Sequence, residues 1–290
     1  MRFSYFYLYL KSKKNSTMRH NMQQQLDWEL DIKPVFVPDI ADNGRQALVR
    51  SDNGRLLGIR SKNYYPVFNR DMELIKDRIL ASNLFSFKGY EEFQKGKRIL
   101  AFFENRGQFK LCGQDVKDFL IIGNSHDTSS KLFVGTSNYM YRCENQFSSK
   151  IRNIEWKHTK VFDIDFLNIH DIIHSYEDGR RELYQKMERL QEVRADVQLI
   201  RHLATQLMGS VERTDRELAV PQLKQSKQTI QLLECIETEI RELGPTLWGV
   251  FNGITRYTSN HLEGKPGFGI VNGRGEEINR IALNSLFAHC

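Results

Sequence analysis

The hydrophobic period of this chain changes once, near Val161, and that switch sorts the fold. Before it, short apolar runs alternate with tight polar turns, the mark of strands with period 2. After it, apolar residues recur every three or four positions, the mark of helices. Strands first and helices afterwards predict an α+β protein, not an alternating α/β one. The expected organisation is a basic, aromatic tail at 1–26, a sheet domain at 27–160 and a helical region at 161–290 packed on it.

Within the first half, residues 47–69 read as a β-hairpin with Ser51-Asp52-Asn53-Gly54 as its turn, followed by an extended stretch. Asp71 is expected to cap a short helix with Leu74, Ile75, Ile79 and Leu80 as its apolar face. Strands are expected at 97–104, 108–112, 118–124 and 131–136, joined by Asn105-Arg106-Gly107 and Ser125-His126-Asp127-Thr128. Tyr139, Met140, Cys143 and Phe147 have helical spacing. The expected unit is therefore an antiparallel β-meander with a covering helix that starts near Asn138.

In the second half, Phe162 to Tyr176 begin a helical stripe that Leu183 to Leu207 continue, with one slip near Val193. Pro221 marks a break, and Ile230 to Leu243 form another helix. Together these predict a long antiparallel helical hairpin. Gly244-Pro245 ends it, and helices are expected around 247–257 and 278–287, separated by a glycine-rich loop at 264–275.

The length of 290 residues leaves room for a sizeable core, and 40% hydrophobic with 27% charged residues excludes a disordered chain. No run of 18 apolar residues exists, so no membrane partner is expected. Four scattered cysteines without C-x-x-C spacing point to reduced thiols in a cytoplasmic protein. The formal charge of +6 is concentrated: residues 1–26 hold five bases and no acid. That tail reads as an added segment, a membrane-touching patch, or translated sequence ahead of a start at Met18 or Met22. The third reading fits its lack of period best, and removal of residues 1–17 is expected to leave the fold intact.

Most chemical motifs give way to simpler readings. Residues 264–275 carry five glycines before a helix, but no strand precedes them and Glu276 and Glu277 occupy the helix's positive end. His170 and His174 stand one turn apart, yet semi-buried packing explains them without a metal. Ser125, His126 and Asp127 are adjacent and cannot form a triad through space. No cofactor is expected. Two segments, 88–110 with six bases against three acids and 142–160 with five against two, interleave bases with aromatic residues. Such a pattern suits single-stranded nucleic acid, where charges track phosphates and rings stack on bases. Aromatics in a core beneath a solvated basic face would read the same way.

The segments RSDNGRLLGIRSKNYYPVFN, CGQDVKDFLIIGNSHDTSSKLFVGTSNYMYRCENQF with WKHT, LWGVFNGITRYTSNH and NRIALNSLF resemble the phage/plasmid-like domain of unknown function across roughly 47–287. The family-like positions include Arg50, Gly54, Tyr65, Asn69, Gly113, Asp115, Ser125, His126, Asp127, Arg142, Asn145, His158 and Trp248. Thr128 and Gln146 depart from its pattern. The resemblance implies DNA metabolism and carries no established activity. The meander with its helix is also similar in plan to the core of ring-forming single-strand annealing proteins.

The reading that joins these features is a non-enzymatic protein that binds single-stranded DNA, anneals strands and forms a homo-oligomer. Its expected phosphate contacts are Lys97, Arg98, Lys110, Arg142, Arg152 and Lys157. Two alternatives stand beside it. One is an enzyme with a pocket around Asp115, His126, Asp127, Asn145 and His158; Arg142, Asn145 and His158 would equally serve as a structural clasp. The other is a helical protein-interaction module, such as a host-factor inhibitor, using 180–243.

Overall fold

The computed structural model describes residues 22–38, 40, 43–140, 146–156, 158, 168–208, 226–262 and 271–290. Side chains at 139, 140, 146 and 148–154 are outside that description. The expected tail at 1–17, the covering-helix residue Cys143 and the break at Pro221 lie outside the described residues.

The chain is α+β. Strands β1 (Leu30–Pro34), β2 (Arg45–Arg50) and β3 (Leu56–Ser61) make one antiparallel sheet. Helix α1 (Asn69–Leu80) follows, then β4 (Phe85–Phe93), β5 (Arg98–Asn105), β6 (Phe109–Leu111), β7 (Gln114–Ser125), β8 (Leu132–Met140) and β9 (Gln146–Trp156). These build a second sheet in the order β4-β5-β7-β8-β9, with β6 paired to β7. Helices α2 (Ile169–Glu192), α3 (Val197–Met208), α4 (Lys227–Leu243), α5 (Leu247–Asn260) and α6 (Arg274–Phe287) complete the described elements. Among them no helix is long and apolar enough to cross a membrane.

Two compact units interleave along the chain. The first comprises 1–106, 121–134 and 153–169; the second comprises 107–120, 135–152 and 170–290. In the first, Leu48, Val67, Ile75, Ile79, Phe85 and Phe103 are fully buried. α1 is closed at its start by Asp71, whose carboxylate accepts the Phe68 backbone N–H at 2.8 Å. Asp71 thus acts from the third helical position instead of being the cap, and Leu74 is exposed while Met72 is buried. In the second unit, α4, α5 and α6 share a core with Leu190, Leu203 and Phe147. Gly253 lets α5 approach α4, because a Cβ there would lie 2.3 Å from the Ile236 Cα.

Several expectations need correction. No helix starts at Asn138: that residue continues β8, and Phe147 begins β9. The apolar spacing of 139–147 suits either period over so short a run. Asn138 lies on β8, which pairs with β7, and its side-chain amide donates to Asp118 of that strand. β4 went unread because a bulge between Phe87 and Gly89 breaks its alternation. The slip near Val193 is a true break between α2 and α3. The α4–α5 pair, joined through Gly244, Pro245 and the Thr246 cap, is the closest-packed hairpin among the described helices. His170 and His174 are not semi-buried: both are exposed, and His174 Nδ1 lies 3.0 Å from Asp178.

Candidate functional site

The structure regroups the sequence-derived site residues. Lys97 and Arg98 from the phosphate set fall in the first unit with His126, Asp127 and His158 from the pocket set. Lys110 and Asp115 fall in the second unit, directly opposite each other on β6 and β7 and both exposed. Arg142, Asn145 and Lys157 lie outside the described residues, and Arg152 is placed only as a position on β9.

The first unit's group is built around the turn between β4 and β5. Gln94, Lys95 and Gly96 all have left-handed backbones, with φ of 50°, 64° and 94°. Two successive non-glycine residues in that region are strained and persist only when their surroundings enforce them. Here the enforcement comes from below. The Arg50 guanidinium stacks 4.0 Å from the Trp28 ring centroid and donates to Glu92 at 2.6 Å and to the Lys95 carbonyl at 3.3 Å. Trp28 Nε1 donates to the other Glu92 oxygen at 2.6 Å. Glycine is required at 96, where a Cβ would sit 2.5 Å from Arg50 Nη1 and 2.8 Å from the Trp28 ring. The outcome is an exposed Lys95 on a turn whose underside is a packed polar clamp.

His126 completes the clamp. Its backbone N–H donates to the Lys97 carbonyl at 2.8 Å, and its ring meets Trp28 edge-on at 5.4 Å. Asn69 Nδ2 donates to the Trp28 carbonyl at 2.7 Å, which turns Asn69 Oδ1 toward His126 Nε2 at 3.0 Å. The proton of a neutral His126 therefore sits on Nε2. Nδ1 has no hydrogen-bond partner among the described residues. Burial first, then His158, push His126 down to about 3; Asp127 opposes them and Arg50 adds a smaller push downward. His158 hydrogen-bonds Tyr64 through Nδ1, and burial lowers it to about 4.

Asp127 is fully engaged elsewhere. Its carboxylate accepts the Ser129 backbone N–H at 2.9 Å and lies 3.7 Å from Arg98 Nε, which also donates to Ser129 Oγ at 2.8 Å. Arg60 donates to its backbone carbonyl. Ser125 and His126 are 0% exposed, so neither is placed to meet a substrate.

A family model for a domain of unknown function, DUF932, matches residues 56–280. The chain belongs to this family. No curated protein and no solved structure matches it. The DUF932 match contains the 94–98 turn, the 125–130 turn and His158, whereas the clamp residues Trp28 and Arg50 precede it.

The second unit of this DUF932 chain holds a different polar cluster, absent from the sequence-derived sets. Asp118 is 1% exposed and accepts the Tyr184 hydroxyl at 2.6 Å and the Asn138 side-chain amide. Arg180 Nε stands 3.7 Å from its other oxygen, and the guanidinium lies 4.3 Å from the Phe109 ring centroid. Burial, only partly offset by Tyr184, Arg180 and Asn138, raises Asp118 to about 6. The available signal was an acid inside the apolar run of VKDFLII. Lys95 was legible only as one charge in a basic segment.

Proposed function

We propose that this DUF932 protein binds single-stranded DNA through the sugar-phosphate backbone, at the turn between β4 and β5, as part of mobile-element DNA metabolism. The observation that carries the reading is the clamped left-handed turn: Lys95 on the strained backbone held from beneath, with Lys97 next to it and Arg98, which Asp127 partly neutralises, at its end. Strain of this kind persists where a fixed presentation is useful. Backbone phosphate is the ligand class that point charges on lysine and arginine recognise without reading sequence.

Four of the interleaved aromatics are not stacking platforms. Tyr90, Phe102, Phe103 and Phe147 are buried core residues. The reading rests on phosphate contacts and leaves base edges free, which is what strand annealing requires. The loss of the covering helix at Asn138 removes the architectural likeness to ring-forming annealing proteins as a support. Lys110 contributes less than Lys95, because Asp115 faces it across the ladder.

A salt titration of binding to a labelled oligothymidine tests the reading. Affinity is expected to fall linearly in log salt, with each phosphate contributing about −0.7 to the slope. Changing Lys95 and Lys97 together to Ala is expected to flatten that slope by roughly 1.4, for two phosphates lost. Light scattering of the same mixtures tests the homo-oligomer. Absence of single-strand affinity at low salt would sink the proposal.

A further inference from the structure

The clamp beneath the 94–97 turn has one polar atom with nowhere to place a second proton. The bonds from Asn69 fix the His126 proton on Nε2 and leave Nδ1 without a partner among the described residues, in a side chain that is 0% exposed. Each nearby group is already committed or carries the wrong sign. From β2, Arg50 is a cation. From β4, Glu92 is held by Arg50 and Trp28. From β3, Arg60 is a cation bound to the Asp127 carbonyl. From the turn, Lys97 presents its backbone carbonyl, which accepts the His126 N–H. Asp127, beside it in the chain, has its carboxylate on Ser129 and Arg98. His158 is a second neutral base with its own unpartnered Nε2, and its other nitrogen is on Tyr64.

We infer that His126 is an acid-sensitive latch for the 94–97 turn: protonating it expels the ring from the clamp and releases the turn that Trp28 supports from beneath Gly96. The path is short. Trp28 packs on the His126 edge and also fills the space under Gly96. A charged imidazole with no acceptor costs more to keep buried than to expose. Release therefore removes the edge contact that steadies Trp28 beneath Gly96. That this weakens DNA binding rests on the function proposed above; the latch itself does not.

The sign follows from linkage. Both histidines are held below their ordinary value of 6.5, so the closed state is favoured above that pH. As pH falls below it, the open state takes up protons that the closed state refuses. The opening equilibrium is expected to rise about tenfold per pH unit for His126 alone, and about a hundredfold if His158 is released with it.

The test uses the full chain without DNA. Hydrogen exchange at the amides of 94–98 and 126, corrected for intrinsic rate, is followed from pH 7 to pH 4.5, with proton NMR of the imidazoles alongside. The latch requires protection to fall with at least a one-proton slope, and His126→Gln to flatten it. Should that variant misfold, the wild-type imidazole signal decides: a His126 that titrates near 6.5 with the turn still protected overturns the latch. Oligothymidine affinity at the same pH values separates the two ideas. Opening with affinity falling supports both, whereas opening with affinity unchanged keeps the latch and removes the turn as the DNA site.

Discussion

The two units bury ionisable groups of opposite kind. The first encloses two imidazoles, His126 beneath a cationic turn and His158 against Tyr64; the second encloses the carboxyl of Asp118 between a strand and a helix. A buried base is kept neutral by refusing a proton, a buried acid by keeping one. Acid is therefore expected to loosen the first cluster and tighten the second. The packing differs too. The first unit's close approach at Gly123 is to a side chain, with Phe133 ring atoms 2.2 Å from a would-be Cβ, whereas Gly253 faces helix backbone at 2.3 Å. A ring turns aside more readily than a helix moves.

The largest expected effect follows from that contrast. Gly253→Ala is expected to cost about 3 kcal/mol, because α4 must shift, and Gly123→Ala about 1–2 kcal/mol. Urea unfolding of both variants measures this, and equal losses would break the contrast. Next comes Asp118→Asn. With Asp118 raised to about 6 from an ordinary 3.8, the second unit gains stability as pH falls from 6 to 4 and loses it as pH rises. One bound proton gives about 1.4 kcal/mol per pH unit across that window. The Asn variant is expected to abolish this dependence, read by hydrogen exchange along α2.

A third test sharpens the first unit. Burial raises Glu91 to about 7, so this carboxyl works against the histidines by taking up a proton in the fold on acidification. Glu91→Gln is expected to steepen the loss of protection at 94–98 between pH 7 and 5. The smallest effect is expected for Lys95→Ala, which should change folding stability by less than about 0.5 kcal/mol while weakening oligothymidine binding. A larger loss of stability would mean that the lysine is part of the clamp and not of its exposed face.

Local chemistry was legible in the sequence; long-range partnership was not. The β2–β3 hairpin could be read from its turn, where Gly54 has φ 69°, although Asn53 does not share a positive φ. Strands β5 to β7, the first part of β8 and helices α2, α4, α5 and α6 follow from period alone, whereas the end of β8 and the start of β9 have the spacing of a helix. β4 was hidden by its bulge, and Asn138, on a strand, has its side-chain partner 20 residues away. The candidate site was half visible. Asn69, His126 and Asp127 stood out as family-like positions, yet the bonds that define them join Trp28 to Asn69 across 41 residues and Asn69 to His126 across 57. The left-handed run at 94–96 carries only Gly96 as a local signal.

The most direct measurement is a hydrogen-exchange footprint of the full chain with and without oligothymidine at neutral pH and low salt. Binding at the cationic turn should protect amides at 94–98 and at 126–130, where Arg98 meets Asp127 and Ser129, and leave the β6–β7 hairpin at 109–116 unchanged. Protection confined to that hairpin, or to neither region while the oligonucleotide is bound, would contradict a DNA site on the first unit's clamped turn.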